Sequence, residues 1–186
     1  MLEDILRWDQ ETFIYFNGLG TTTYDLFWVT VTEIYTWIPL FILFFVLISL
    51  KFPKREVFSK VLTIAFLIGF VLLASYVTKE WVARLRPNNT EEINTIIRIL
   101  KRPTDYSFFS GHSSSSFAIT TLIVLFLRKK IKWAWIFFLW PLLFAYSRIY
   151  VGVHYPVDLF VGAFVGIAAA FLFYKIHKKI ISPYLV

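Results

Sequence analysis

Three short clusters hold the residues able to do chemistry: Lys79 with Arg86, Ser110-Gly111-His112, and Arg148 followed by His154 and Asp158, each at the edge of an apolar segment. Ionisable groups at the border of a membrane span are costly, so they read as a functional site. Lys79 and Arg86 stand two helical turns apart, and share one face if their helix runs to the stop at Pro87. Two cations facing one way suit an anion, and the planar arginine fork favours phosphate over a lone carboxylate. Taken alone, the pair equally suits cations that snorkel to the interface.

Ser110-Gly111-His112 precedes an apolar segment, where free backbone N–H groups and the helix dipole attract anions. Glycine allows close backbone approach, and the serine hydroxyl can donate. Histidine can give a proton near neutral pH, though the tripeptide by itself also suits an ordinary helix cap. Pro156 fits the first position of a helix, which leaves Asp158 in the first turn and His154 just outside. A carboxylate on one imidazole nitrogen leaves the other bare and nucleophilic. The alternative is a His–Asp surface contact without consequence.

The elements that must position these groups follow from composition. Hydrophobic residues make up 58% of 186 and mean hydropathy is +0.67. Several apolar stretches approach the roughly 20 residues that cross about 30 Å of hydrocarbon. This predicts an all-α fold: a polytopic membrane helix bundle of about five transmembrane helices, at 25–50, 57–84, 113–127, 132–147 and 156–176, in a single domain over 1–186. The third segment is short for a span, so either it ends elsewhere or its contact with the bilayer is shared. Ahead of them, Leu2, Ile5, Leu6, Asp9, Phe13 and Phe16 share a helical face, apolar but for Asp9. That pattern predicts an amphipathic helix in the interface over 1–20, ending near Asn17-Gly18; a sixth span there would bury Asp4, Arg7, Asp9 and Glu11. The start lacks the basic and apolar regions of a cleavable signal peptide, so the mature chain is expected to begin near Met1.

Between the second and third segments, Ile93, Ile96, Ile97 and Leu100 repeat at helical spacing, which predicts a short amphipathic helix in the outer loop 88–106, beside the site. Ser113 to Ser116 read as small residues that let helices pack closely. The chain has no cysteine, which excludes disulfides and thiolate metal sites.

Basic residues set the orientation, because they accumulate in cytoplasmic loops. Lys51, Lys54, Arg55 and Lys60, then Arg128, Lys129, Lys130 and Lys132, then Lys175, Lys178 and Lys179 follow alternate segments, with Glu56 the single acid among them. The opposite side carries more acids than bases and all three clusters. Topology explains these loops better than nucleic-acid binding does, so no nucleic-acid partner is expected.

Alternating connections bring the ends of spans two and four and the starts of spans three and five to one outer mouth. Two histidines, a carboxylate, three cations and a helix N-terminus meet there, which suits phosphoryl transfer: cations neutralise the oxygens, one histidine attacks and the other protonates the leaving oxygen. Asp158 is the single well-placed acid, so a two-metal mechanism is disfavoured.

Lys79-(six residues)-Arg86-Pro87, Ser110-Gly111-His112 and Ser147-Arg148-(five residues)-His154-(three residues)-Asp158 resemble the three-part motif of type 2 phosphatidic acid phosphatases. These PAP2 membrane enzymes are related to vanadium haloperoxidases. The resemblance covers about 80 residues, with one departure: Phe109 stands where the family usually has proline. It implies that His154 is a nucleophile forming a phosphohistidine, oriented by Asp158. It further implies that His112 is the general acid, that Lys79, Arg86, Ser110, Gly111 and Arg148 hold the phosphoryl oxygens, and that no metal or other cofactor is needed. The substrate is then a lipid phosphate or diphosphate in the cytoplasmic membrane, approached from the extracytoplasmic side. The motif does not separate undecaprenyl diphosphate, phosphatidylglycerophosphate, phosphatidic acid and lipid A phosphates; undecaprenyl diphosphate leads because Arg98, Lys101 and Arg102 in the outer loop suit a second phosphate. A haloperoxidase fits poorly with five spans, and an anionic-lipid binder or transporter would not need both histidines and Asp158.

Overall fold

The computed structural model describes residues 2–185; Met1 and Val186 lie outside it. Among the described residues every regular element is helical. Helix α1 (Leu2–Gly18) is followed by α2 (Asp25–Val31), α3 (Ile38–Lys51), α4 (Lys54–Val82), α5 (Gly111–Leu127), α6 (Leu139–Tyr150) and α7 (Pro156–Ile176). Three segments are long and apolar enough to cross a membrane: Ile34–Lys51, the α4 segment and the α7 segment. Two more apolar segments, Gly111–Leu127 and Ala134–Tyr150, are shorter. Seventeen residues in α5 rise about 25 Å, the lower limit for a span. That helix is the buried centre of the bundle, its Ala118, Thr120 and Leu122 fully enclosed.

Small residues explain how α5 sits so close to α7. A side chain on Gly162 would meet the Ser110 carbonyl at 2.7 Å, and one on Gly166 would meet the Ser114 carbonyl at 2.2 Å. Neither position has room for a methyl group. The serine run at the start of α5 therefore faces glycines on α7, and this seam carries the starts of both helices to one level: the Ser110 N–H donates to the Asp158 carbonyl at 3.0 Å, and Ser113 Oγ to that of Leu159 at 2.7 Å.

Three expected elements differ. The first span is not continuous from 25: it breaks at Thr32-Glu33, between α2 and a 3-10 turn at Ile34–Trp37. Thr36 Oγ1 takes the Thr30 carbonyl at 2.6 Å and Trp37 Nε1 that of Val31 at 2.9 Å, satisfying groups that a continued helix would have used. The second ends at Val82, with Ala83 left-handed at φ 49° and its N–H on the Lys79 carbonyl. It does not run to Pro87. The fourth becomes an α-helix only at Leu139, after a 3-10 turn at Ala134–Phe138.

Among the described residues the 88–106 loop has no amphipathic helix either. Turns occupy the isoleucine-rich stretch, and its polar backbone groups find partners elsewhere. Asn17 Oδ1 accepts the Arg98 N–H at 2.7 Å, Asn17 Nδ2 donates to the Arg98 and Ile149 carbonyls, and the Leu100 N–H reaches the Val151 carbonyl. Gly152, at φ +84°, lets the loop pass: a side chain there would lie 2.5 Å from the Arg98 carbonyl. Ile93 turns inward and packs with Phe13, Ile149, Tyr155 and Leu159. Helix α1 ends at Gly18 as expected, but Asp9, Phe13 and Asn17 face protein, while Ile5, Leu6 and Phe16 stay exposed.

Candidate active site

His154 lies in the turn between α6 and α7 and is completely buried. Its Nδ1 stands 3.3 Å from Asp158 Oδ2, and its Nε2 stands 2.9 Å from a terminal nitrogen of Arg86. Arginine can only donate. In the tautomer with the proton on Nδ1, toward Asp158, Nε2 is a free acceptor and accepts from Arg86. Burial pushes the imidazole pKa well below its ordinary value, and the nearby Arg86, Arg148 and Lys79 charges push it further. The ring is therefore neutral at neutral pH, the state in which a nitrogen can attack phosphorus.

Asp158 is the third residue of α7, and its position is set by a capping box with Tyr155. Oδ2 accepts the Tyr155 N–H at 3.1 Å. Oδ1 accepts from Arg84 at 2.7 Å, and the other terminal nitrogen of Arg84 reaches Asp9 Oδ2, also at 2.7 Å. Asp9 Oδ1 in turn accepts the Val157 N–H at 2.8 Å, and the Arg84 guanidinium lies over the Tyr155 ring at 4.0 Å. A chain of ion pairs and hydrogen bonds thus runs Asp9–Arg84–Asp158–His154, from α1 to the imidazole, buried except at the partly exposed Arg84.

Lys79 and Arg86 meet without sharing a helical face. Lys79 is in the last turn of α4, whereas Arg86 is in extended chain beyond the left-handed Ala83. Both reach Asp105: Lys79 Nζ at 2.5 Å from Oδ2, and one terminal nitrogen of Arg86 at 3.0 Å from each carboxylate oxygen. Arg86 Nε also donates to the Asp105 carbonyl, and its other terminal nitrogen to that of Val153. Burial raises the Asp105 pKa, but hydrogen bonds and charge from Lys79 and Arg86 outweigh that and hold it at about 2.

Ser110 caps α5, its side chain accepting the Ser113 N–H at 3.3 Å. Gly111 faces Ser75, whose hydroxyl donates to the Phe109 carbonyl and would lie 3.1 Å from a Gly111 side chain. Ser110 thus takes the N–H groups of Ser113 and, through its carbonyl, Ser114, while those of Gly111 and His112 have no carbonyl one turn back to bond and are suited to an anion. His112 lies against Phe144, with ring centroids 5.5 Å apart. Arg148, in the last turn of α6, donates to Thr32 Oγ1 at 2.7 Å, and its buried Nε–H has no partner among the described residues. The break in the first span is thus what brings Thr32 to Arg148.

Two cavities share His112 as a wall. One, of about 550 Å³, runs from Lys79, Asp105 and Gly111 along apolar side chains of α3 and α4, including Phe41, Ile68 and Leu72. The other, of about 360 Å³, is lined by the polar and charged side chains of Thr32, Glu33, Lys101, Arg102 and Arg148 together with Ile34 and Pro103.

All eight sequence-selected residues fall at this end of the bundle. Four more take part: Asp9, Thr32, Arg84 and Asp105. Asp9 carried a signal, as the one acid on an apolar helical face, and Arg84 stands two residues before Arg86. Thr32 and Asp105 carried none, because their role depends on a helix break and a loop path.

An apolar helical bundle with a cationic, histidine-bearing mouth is the architecture of membrane phosphatases that work without metal. The chain belongs to the PAP2 superfamily, whose family model matches residues 60–182, and it is a metal-independent phosphatase of that type. It is 30% identical over 185 residues to a lipid A 4'-phosphatase of Bacteroides thetaiotaomicron, covering 97% of this chain and 81% of that protein. It is 36% identical over 145 residues to an undecaprenyl-diphosphatase of Sulfolobus acidocaldarius, covering 77% of this chain and 65% of that one. The crystal structure of a transmembrane PAP2 type phosphatidylglycerolphosphate phosphatase from Bacillus subtilis shares the fold, with a TM-score of 0.76 at 21% identity over 95% of this chain and 88% of that one.

Proposed function

We propose that this membrane lipid phosphatase hydrolyses a lipid diphosphate, with undecaprenyl diphosphate as the leading substrate, at the extracytoplasmic face of the cytoplasmic membrane. The observation that carries the reading is the pair of cavities meeting at His112. An apolar channel between α3 and α4 suits a prenyl tail, and the neighbouring space offers Arg102 and Arg148 to a second phosphate, with Lys101 beside them in an ion pair with Glu33. Arg98 does not line that space, and its guanidinium pairs with Asp25 at 3.0 Å.

The chemistry follows from the contacts. Lys79, Arg86, Arg148, the Ser110 hydroxyl and the N–H of Gly111 hold the terminal phosphoryl oxygens. Asp158 keeps the His154 proton on Nδ1, and Nε2 attacks phosphorus in line with the leaving oxygen. The bond from phosphorus to that oxygen breaks, and His112 gives it a proton, releasing the lipid monophosphate. Water then attacks the phosphohistidine, loses a proton to His112, and frees phosphate and His154. The orientation is supported by the lysine-rich connections, which gather at the far end of the bundle: Lys60 and Lys130 both lie over the Phe52 ring, at 4.1 and 5.0 Å.

A second reading, lipid A phosphate hydrolysis, is favoured by the near full-length match to the Bacteroides enzyme. Phosphate release from undecaprenyl diphosphate, lipid A, phosphatidylglycerophosphate and phosphatidic acid separates the two, using the protein and its Lys101→Gln/Arg102→Gln variant. The diphosphate should turn over fastest, and the double variant should raise KM for it by about tenfold, the loss of roughly one charge-assisted hydrogen bond, with little effect on phosphatidic acid. Faster turnover of lipid A establishes the second reading.

A further inference from the structure

Arg86 has no donor to spare. Nε–H goes to the Asp105 carbonyl, one terminal nitrogen to the Val153 carbonyl and His154, and the other to both carboxylate oxygens of Asp105. Lys79 points at the same carboxylate. Two of the three cations proposed to grip a phosphoryl group are therefore already occupied by an anion that belongs to the protein. That anion is not locked in: the Asp105 side chain is 53% exposed, while Arg86 is 3% and Lys79 is 14% exposed. It stands on the loop at the mouth of the larger cavity. Held at about 2, its pKa keeps it charged at every pH at which the enzyme would work. Arg148 lines the neighbouring cavity, and its buried Nε–H has no partner among the described residues.

We propose that Asp105 is a positioning residue that acts as a resident counter-anion: it occupies Lys79 and Arg86 between turnovers, yields them to the substrate phosphoryl group, and displaces product phosphate from them. This rests on the phosphate-binding roles proposed above for Lys79 and Arg86. The cost of leaving two cations unpaired in a half-buried mouth is thereby avoided in the empty site. The same exchange weakens the hold on phosphate, because each ligand must evict a carboxylate of like charge. Product inhibition is reduced at some expense in substrate affinity.

Asp105→Asn keeps the shape and removes the charge, Asp105→Ala removes the side chain, and Asp105→Glu keeps the charge. The inhibition constants of inorganic phosphate and of vanadate, measured against nitrophenyl phosphate with the full chain in detergent, should fall about five- to tenfold in the Asn and Ala variants. The Glu variant should return them toward the parent value. Unchanged or raised constants in both neutral variants overturn the proposal and make Asp105 an organiser of Arg86 instead. Failure of the underlying site reading looks different: His154→Ala would then retain turnover, or vanadate would not inhibit the parent protein at all.

Discussion

At the scale of single residues, His154 owes its character to burial and to where its two nitrogens point. Nδ1 meets Asp158, Nε2 meets a group that can only donate, and the surrounding cations oppose protonation. An unperturbed histidine titrates near about 6.5. Because the folded-state value lies well below that, the neutral base persists as pH falls through 6.5. The acid limb of kcat/KM, corrected for ionisation of the substrate, should therefore fall well below pH 6.5; a limb near 6.5 would show that the attacking group is not this imidazole. The linkage has a matching sign for stability. Below about 6.5 the unfolded chain takes up a proton that the folded chain refuses, so this contribution is present above 6.5 and declines as pH falls toward the folded value.

At the scale of elements, α1 is tied to the site through one carboxylate. Asp9 is fully buried, accepts the Val157 N–H at the start of α7, and shares Arg84 with Asp158. Removing a partner from a buried charged contact costs about 2 kcal/mol, since the remaining charge keeps its desolvation penalty. Asp9→Asn keeps an oxygen for Val157 but weakens the hold on Arg84. It should lower the unfolding temperature in detergent and reduce kcat several-fold while leaving KM nearly unchanged, because the phosphate-facing cations are not part of this chain. A changed KM with intact kcat would place Asp9 on the substrate side. The α5–α7 seam works in the same direction: Gly162 and Gly166 allow the two helix starts to sit level, and the hydrogen bond from Ser110 to the Asp158 carbonyl depends on that level.

At the scale of the whole molecule, the site occupies one end of the bundle and the lysine-rich connections the other. The chain has no cysteine, so single cysteines report topology directly. Asn89 and Lys130 are both exposed and lie at opposite ends. Asn89→Cys should react with an impermeant thiol reagent added outside intact cells, and Lys130→Cys only after the cytoplasmic side is opened. The reverse pattern would turn the site inward and remove any role on outward-facing lipid carriers.

Much of this protein was legible in its sequence because membranes and helices impose short-range rules. Five apolar segments, the lysine asymmetry, the start of α7 at Pro156 and the placement of Asp158 one turn past His154 follow from periodicity, charge and capping, which act over a few residues. The contacts that complete the site do not. Lys79 and Arg86 were expected to converge through a shared helical face, yet the helix stops at Val82 and they converge on Asp105, some 20 residues further on in a loop. Ile93 to Leu100 have helical spacing, but tertiary partners on α1, α6 and α7 took the backbone hydrogen bonds and apolar faces that a helix would have used. Asp9 looked too costly to bury, and against lipid it would be. Against Arg84 and the first turn of α7 it is paired, and that pairing across about 75 residues and about 150 residues is set by packing, which no local pattern encodes.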